Sequence, residues 1–355
     1  MEFASKYARI RRPRWKLGVG LLVTGALAAG AVTAYAAVPR RASLKSADAT
    51  GTASADASTT AVLESHRLVD PDYNPHRKMP SISFLTVDDP KDLTFNQLLG
   101  INDHGRIVGY FGSGADAKHP NKGYQVLPDY DGDNFTDENF PGSAQTQVVG
   151  VNNDGTTVGF YVDANGANIG FVRWHNTFLA VANPATTAKP AFNQLLGVNN
   201  KDIAAGFYND AAGAAHGYLY SIAKRTFTPV RLPVKVDSLV ATGVNDKGDV
   251  SGFYTIGKKT SGFVLRGRNL ISINLGANTN TQALGLDNAG QVVGSFVDAA
   301  GKMHGFVWQN RKVRQIDDPN GKAGTLVNGI DNRNQIVGFF VDAKGNTNGF
   351  LARLR

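Results

Sequence analysis

The stretch Phe95-Asn-Gln-Leu-Leu-Gly-Ile-Asn-Asp-His-Gly-Arg-Ile-Val-Gly-Tyr110 is the first of six similar segments in this chain. Each copy has a glycine, an apolar residue and Asn or Asp, then a short turn and a second β-prone run. Successive copies begin 42 to 50 residues apart, with leading glycines Gly100, Gly150, Gly197, Gly243, Gly285 and Gly329. A period of this length is typical of repeat architectures, in which each repeat is one supersecondary unit.

Each repeat predicts four short strands. In the fifth copy the apolar runs cover residues 282–287, 291–297, 305–308 and 313–316, and Asn, Asp, Gly or Ala residues separate most of them. The runs show no helical period. Short β-prone runs between turn residues predict an antiparallel meander.

The turn after the first strand has a defined chemistry. An Asn or Asp followed three residues later by Gly suits a type I turn that ends in a residue with positive φ. The third and sixth copies carry Asp202 and Asn334 in place of that glycine. Asp and Asn tolerate the left-handed region best after Gly, so both are predicted to adopt it.

The second strand carries neighbouring aromatic residues in five of the six copies, and the fifth copy has Ser295-Phe296 instead. Neighbouring residues of a strand point to opposite faces, so both faces must be covered. A sheet stacked between two others meets this requirement, as in a propeller blade. The pairs are Tyr110-Phe111, Phe160-Tyr161, Phe207-Tyr208, Phe253-Tyr254 and Phe339-Phe340.

The two ends of the repeat array complement each other. The sixth copy ends at its third strand, whereas residues 83–90 resemble the fourth strands at 177–184 and 313–319. An N-terminal strand that completes the last blade removes two exposed sheet edges. The sequence therefore predicts an all-β, closed six-bladed β-propeller of four-stranded blades over residues 79–355. The alternative is an open solenoid of hairpins.

The N-terminal region resembles an export signal. Residues 1–16 are basic, residues 17–34 are apolar, and Ala34-Tyr35-Ala36 matches a cleavage site. We predict a secretory signal peptide over 1–36 and a disordered Ala/Ser/Thr-rich linker over 37–78. The predicted location is secreted and extracellular. The alternative is an uncleaved segment that tethers the protein to the outer face of the cell membrane.

Composition limits the possible chemistry. The chain of 355 residues is 42% hydrophobic and has no cysteine, which excludes thiolate metal sites. Its formal net charge is +8, but residues 1–16 hold six basic side chains and one acidic side chain. The repeats contain no basic run, so we expect no nucleic-acid partner.

One loop of the first repeat is strongly acidic. Calcium takes six to eight oxygen ligands, and such a loop supplies several carboxylates within a short stretch. The position of its glycine departs from the EF-hand pattern. Calcium is the only cofactor that we predict, and the alternative is a solvated acidic turn. The candidate ligands are Asp129, Asp131, Asp133, Asp137 and Glu138.

Two further sets of polar residues recur. The first strand of each copy ends in Asn or Asp, which could ring an ion or polar ligand in a central channel or cap the next turn. His216 and His304 each precede a glycine in the third strand of their copies. Each histidine could act as a ligand or base, and the alternative is a structural role. The strand-end residues are Asn102, Asn152, Asn199, Asn245, Asp287 and Asp331.

Motifs of known chemistry are missing from the sequence. It contains no G-x-S-x-G element, no phosphate-binding G-x-x-x-x-G-K-[ST] and no sialidase Asp-box. Catalytic residues therefore remain unknown at this level, and an enzymatic role is less favoured than a binding role.

The repeat resembles the extracellular repeats of the HAF family. The resemblance rests on Gly-Ile/Val-Asn-x-x-Gly-x-Ile-Val-Gly-Tyr/Phe, then Asp-x-x-Gly, then His-Gly-Phe, over most of residues 95–350. The His-Gly-Phe element is intact at residues 304–306, and His-Gly-Tyr at residues 216–218 is similar to it. The resemblance implies secretion and a propeller-like repeat. It implies no established reaction and no catalytic residue.

These observations favour a secreted binding or interaction module of the cell exterior. Its partner would be an extracellular polymer, protein or small ligand. We expect a monomer that contacts a membrane only through its N-terminal segment, if that segment is not cleaved. The alternative is a secreted propeller enzyme, a hydrolase or lyase acting on a glycan or lactone. A cluster of Asp, Glu, His and Tyr at one channel mouth would favour the enzyme.

Overall fold

The computed structural model describes residues 82–275 and 280–354. The predicted signal peptide (1–36) and linker (37–78) lie outside the described residues. Within the described ranges, no helix has the length and apolar character needed to cross a membrane.

The described residues form six units of four antiparallel strands each. Unit 1 contains β2 (Asn96–Ile101), β3 (Ile107–Phe111), β4 (Lys122–Val126) and β5 (Phe135–Asp137); unit 2 contains β6 (Gln145–Val151), β7 (Thr157–Val162), β8 (Asn168–Trp174) and β9 (Thr177–Val181). Unit 3 contains β10 (Asn193–Val198), β11 (Ile203–Asn209), β12 (Ala215–Ser221) and β13 (Thr226–Pro229); unit 4 contains β14 (Ser238–Val244), β15 (Val250–Ile256), β16 (Lys259–Arg266) and β17 (Asn269–Ile273). Unit 5 contains β18 (Thr281–Leu286), β19 (Val292–Val297), β20 (Met303–Gln309) and β21 (Lys312–Ile316); unit 6 contains β22 (Gly324–Ile330), β23 (Gln335–Val341), β24 (Thr347–Arg353) and β1 (Phe84–Thr86).

Strands pair in chain order within units 1 to 5. Unit 6 is different, because its fourth strand is β1, which pairs antiparallel with β24 from Phe84 opposite Ala352 to Thr86 opposite Phe350. This is the pairing expected from the sequence. A single parallel bridge between Met303 and Gly324 also joins units 5 and 6.

The turn after each first strand has the predicted backbone conformation. Asp202 has φ of 55° and Asn334 has φ of 64°, so both lie in the left-handed region. The glycines at the corresponding positions of the other units also have positive φ, as in Gly155 at 81°. The prediction that Asp and Asn replace glycine at this turn without changing it is confirmed.

The core lies between neighbouring units. The first aromatic residue of each predicted pair is at most 3% exposed, namely Tyr110, Phe160, Phe207, Phe253 and Phe339. Apolar side chains from adjacent units share clusters, such as Val108 with Val148 in units 1 and 2. Val337 of unit 6 packs in one cluster with Leu98 of unit 1. Each sheet is therefore covered on both faces, as the aromatic pairs predicted.

The leading glycines let the first strands approach closely. A Cβ atom on Gly100 would lie 2.6 Å from the Val149 carbonyl oxygen, and one on Gly329 would lie 3.0 Å from that of Leu99. Each first strand also has a register shift beside this glycine. Unit 6 thus contacts unit 1 as unit 1 contacts unit 2. The described chain is all-β and propeller-like.

Candidate functional site

Four asparagines form a ladder at the ends of the first strands. The Oδ1 atom of Asn102 accepts the backbone N–H groups of His104 and Arg106, both at 3.0 Å. Its Nδ2 atom donates to the carbonyl oxygen of Asn152 at 2.8 Å. The same inter-unit bond runs from Asn152 to Asn199, from Asn199 to Asn245 and from Asn245 to Asp287, at 2.9–3.1 Å. The turn cap predicted for these residues is confirmed, and each amide also joins two units.

Two aspartates interrupt this ladder, because an ionised carboxylate has no N–H to donate. The Oδ1 atom of Asp331 accepts the N–H groups of Arg333 and Gln335 at 2.9 and 2.7 Å. Its Oδ2 atom is buried and makes no hydrogen bond to the described residues. Asp287 differs because its Oδ2 atom accepts the amide of Gln291 at 3.0 Å. Burial raises the pKa of both carboxyl groups.

The next residue of each unit forms a second, cyclic ring of hydrogen bonds. The Asp103 N–H donates to Asn153 Oδ1 at 2.9 Å, and each following unit repeats the bond until the Asn332 N–H donates to Asp103 Oδ1 at 2.8 Å. Asn side chains also donate to the Oδ2 atoms of Asp103 and Asp246, and these bonds lower the pKa of both carboxyl groups against the opposing effect of burial. Sequence reasoning missed this ring, although the paired polar residues are its signal. Its members are Asp103, Asn153, Asn200, Asp246, Asn288 and Asn332.

These two tiers line a small central pocket of about 70 Å³. Most of their polar atoms bond to each other or to the backbone, so the tiers hold the units together more than they offer groups to a ligand. A pocket of this size is far below the range of typical small-molecule sites. The polar side chains that line this mouth are eight Asn and four Asp, and the lining includes no Glu, His or Tyr among the described residues.

The structure does not bring the five predicted calcium ligands together. Asp129, Asp131 and Asp133 are exposed in the loop between β4 and β5, and Asp131 accepts a hydrogen bond from Asn134. In contrast, Asp137 forms an ion pair with the Lys91 ammonium at 2.5 Å.

The fifth candidate, Glu138, is buried in another environment. It accepts the hydroxyl of Thr157, and the Arg173 guanidinium lies 3.2 Å from it. Burial raises the pKa of Glu138 despite these bonds. In the part of the chain that the structure describes, no three His, Asp or Glu side chains are arranged to hold a metal ion. The calcium site stays a prediction.

The two histidines of the third strands serve as links to nearby carboxylates. His304 lies between Asp317, 2.8 Å from its Nδ1 atom, and Asp298, 3.2 Å from its Nε2 atom, and its ring stacks on Phe296. In unit 3, the Nε2 atom of His216 lies 2.8 Å from Asp210. Both histidines tie the third strand to the preceding hairpin turn. This geometry favours the structural role.

Unit 1 carries a groove of about 730 Å³, which we call the unit 1 groove. Its volume lies in the range of small-ligand sites. One side is formed by the β3–β4 loop, which is longer than the Asp-x-x-Gly turns of units 2, 3, 5 and 6. Its lining includes the side chains of Lys91, Thr94, Phe111, Lys118, Lys122 and Asn139.

An unusual carboxyl cluster lies beside this groove. Asp88 accepts the N–H of Gly349 at 2.7 Å, and burial raises the pKa of its carboxyl group to about 6, with a smaller contribution from Asp92. Asp89 is fully buried, and its Oδ2 atom has no hydrogen-bond partner among the described residues. The buried hydroxyl of Tyr124 also has none there. Because its pKa is about 6, the Asp88 carboxyl group can exchange a proton near neutral pH.

A second groove of about 680 Å³ lies between units 5 and 6. Asp287, Gln291, Lys312, Arg314 and Leu354 are among the residues that line it. Burial lowers the pKa of Arg314. This groove brings the basic side chains Lys312 and Arg314 near Asp287, one of the two aspartates that interrupt the ladder.

Comparison with known proteins gives no family. No family model and no curated protein matches the chain. Solved structures that align include the β-propeller domain of the Trilobed protease from Pyrococcus furiosus, with 10% identity, coverage of 74% of this chain and 94% of that one, and a TM-score of 0.42. A lectin from Aleuria aurantia aligns with 12% identity, coverage of 73% and 93%, and a TM-score of 0.45. AofleA from Arthrobotrys oligospora aligns with 10% identity, coverage of 76% and 82%, and a TM-score of 0.43. Similarity at this level says nothing about ligand or activity.

Proposed function

We propose that this chain is a secreted binding module of the cell exterior, a HAF-type repeat protein folded as a closed six-bladed β-propeller. Its ligand is an extracellular polymer, and the unit 1 groove is the contact surface. Closure is supported by three cyclic features: the cores shared by neighbouring units, the glycine contacts and the ring from Asp103 back to Asn332. Export is supported by the signal-like residues 1–36.

The observation that carries the proposal is where the unit 1 groove lies in the repeat. Units 2, 3, 5 and 6 make the same scaffold with a four-residue Asp-x-x-Gly turn between the second and third strands. Unit 1 replaces this turn with the longer loop 112–121, and that loop lines the groove. The fold does not need the added residues, because other units form without them. Binding residues are often found on loops held by a rigid scaffold.

The enzyme alternative keeps one specific observation in its favour. Asp88, with a pKa of about 6, lies close in sequence to Asp92, which lines the unit 1 groove. A carboxyl group with a pKa raised toward neutrality suits general acid–base catalysis. If a bound polymer is also cleaved, Asp88→Asn should abolish cleavage and leave binding intact. Cleavage that is unchanged in Asp88→Asn would remove this candidate.

The test of the binding proposal is a thermal-shift screen of the purified protein against neutral and acidic extracellular polysaccharides. A ligand that binds only the folded state raises the melting temperature. Thr94→Trp places a bulky side chain in the groove, whereas Thr177→Trp makes the same change at an exposed position of β9. A shift that is lost only in Thr94→Trp supports the proposal. A shift that survives in Thr94→Trp, or the lack of any shift, contradicts it.

A further inference from the structure

We infer that the unit 1 groove selects an acidic polysaccharide, in which sugar rings carry carboxylate or sulfate groups, over a neutral one. The inference rests on the proposed function and names the ligand class of the same groove. It follows from the cations left unpaired in the groove and from one aromatic side chain that lines it.

The groove keeps two unpaired cations. Among its charged lining residues, Lys91 is neutralised by Asp137 at 2.5 Å. The Oδ1 atom of Asp92 accepts both the N–H and the hydroxyl of Thr94, at 2.9 and 2.6 Å. Lys118 and Lys122 have no carboxylate within ion-pair distance among the described residues.

These two ammonium groups are the cations of the groove that lack an ion-pair partner; the Asp92 carboxylate, whose hydrogen bonds come from the neutral Thr94, is a negative charge on the same lining. A ligand with regularly spaced anions can pair with both at once, whereas a neutral sugar cannot. Because the lysines are solvent-accessible, each pair contributes modestly and weakens as salt is added. Charge complementarity therefore favours an acidic ligand and predicts that its binding depends on salt.

Comparison between units shows how the aromatic ring is exposed to the groove. In unit 3, Tyr208 lies opposite His216 on the paired strand, and the two rings stack at 5.1 Å. In unit 5, Phe296 lies opposite His304 in the same way, at 5.3 Å. The histidine thus covers the aromatic ring in both units.

Unit 1 has Phe111 opposite Lys122 at this position. No aromatic side chain among the described residues stacks on Phe111, and the Lys91 ammonium lies 5.9 Å from its ring centroid. An aromatic face beside ammonium groups can pack against the apolar face of a sugar ring while lysine pairs with its acidic group. Phe111 is half-buried against a core cluster of unit 1, and with lysine in place of the histidine of units 3 and 5 the rest of its side chain lines the groove.

Polar groups for sugar hydroxyls are also present. Asn139 uses its carbonyl oxygen to accept the Gly123 N–H at 3.1 Å, so its amide NH₂ can still donate. Thr94 lies on the same groove and is exposed. Neutral hydrogen-bonding groups of this kind orient a ligand without selecting for its charge, and selection is left to Lys118 and Lys122.

The experiment is calorimetric titration of the purified protein with oligogalacturonate, its methyl ester, an oligomannuronate and a sulfated glycan. The methyl ester keeps the sugar ring and removes the charge. We expect an acidic probe to bind, its ester to bind at least about tenfold more weakly, and affinity to fall with salt. Carboxylated and sulfated probes distinguish the two sources of negative charge.

Variants of the lining residues test which side chains cause the preference for acidic probes. Lys118→Gln/Lys122→Gln should reduce acidic-probe affinity about tenfold, whereas Lys302→Gln/Lys344→Gln, which removes two lysines from hairpins of units 5 and 6, should not. Phe111→Leu should weaken the acid and the ester alike.

The outcomes separate the two proposals. Equal binding of acid and ester that is lost in Thr94→Trp overturns the selectivity and leaves the binding function standing. If no acidic probe binds while a neutral polymer does, the selectivity is also overturned. If no polymer binds at all, both proposals fail.

Discussion

Replacement of Asp331 by Asn is predicted to stabilise the protein. Four asparagines at equivalent positions donate to the carbonyl of the next unit, as Asn102 does to Asn152 at 2.8 Å. Asp331 is 3% exposed, and its Oδ2 atom has no hydrogen-bond partner among the described residues. In Asp331→Asn, an amide replaces this oxygen and supplies the donor that the ladder lacks between units 6 and 1.

The size of the effect follows from two contributions. A buried, unsatisfied polar group costs about 1–3 kcal/mol, and a new hydrogen bond contributes about 0.5–1.5 kcal/mol. Some of this gain is lost if the carboxyl group is already protonated. We therefore expect a rise of about 1–3 kcal/mol in the free energy of unfolding at neutral pH, at about 2–4 °C in melting temperature per kcal/mol.

The stability gained in Asp331→Asn should be larger near neutral pH than in acid. Burial raises the pKa of Asp331 above its ordinary value of 3.8, so the folded state favours the neutral acid. The stability that Asp331 contributes to the wild type is then fully present below pH 3.8 and is lost as pH rises through the folded-state pKa. Because the protonated acid can donate as an amide does, Asp331→Asn should gain little in acid and most near neutral pH.

Thermal unfolding of the wild type and of Asp331→Asn near pH 4 and near pH 7 tests this. Asn245→Asp is the matched control, because it removes the donor that reaches Asp287 and should destabilise the protein most near neutral pH. A lower melting temperature for Asp331→Asn near pH 7 would refute the reasoning. So would a gain of equal size at both pH values.

Three other changes test the scaffold and the predicted metal site. Gly197→Ala should lower the free energy of unfolding in urea by at least about 1–3 kcal/mol, because its Cβ would lie 2.6 Å from the Thr242 carbonyl oxygen. His304→Gln should lower the melting temperature, because the replacement cannot bridge both carboxylates that the imidazole links. Calcium should raise the melting temperature, and Asp131→Asn/Asp133→Asn should abolish that shift in a calcium titration.

Each of these changes has a control. Gly132→Ala places its Cβ 3.3 Å from a proline side chain instead of backbone and should be tolerated; equal losses for the two glycines would contradict the close-approach argument. His216→Gln loses only one carboxylate contact and should cost less than His304→Gln. If calcium and a chelator leave the melting temperature unchanged, the predicted calcium site is wrong.

Sequence predicted the features that depend on local pattern. Strand and turn positions repeat six times, so each copy supports the others. The positive φ values of Asp202 and Asn334 follow from turn chemistry alone. The resemblance between residues 83–90 and other fourth strands located β1, because the same packing position demands the same pattern.

The candidate sites were harder to predict because they depend on where side chains point. Asp137 and Glu138 are neighbours in an extended segment and therefore point to opposite sides. They are adjacent in the sequence and were therefore predicted to share one site. In the structure Asp137 pairs with Lys91, whereas Glu138 pairs with Arg173.

Features that join distant parts of the chain gave weaker signals. The ring between Asp103 and Asn332 joins residues 229 positions apart, which no local pattern reveals. The unit 1 groove brings the loop at 112–121 together with residues of two other segments, Lys91 and Asn139, and no spacing in the sequence indicates that these lie side by side.

The pairing of β1 with β24 also concerns the order in which the protein can be made. Most strand contacts join residues within one repeat, so units 1 to 5 can assemble from local contacts as they are synthesised. β1 precedes all of them, yet its partner β24 is the last of the described strands. Contacts between such distant segments form slowly, and an unpaired strand edge is prone to association with other chains. β1 has no partner from the time it is synthesised until β24 is synthesised, so this seam is where we expect assembly to be slowest and most exposed to error.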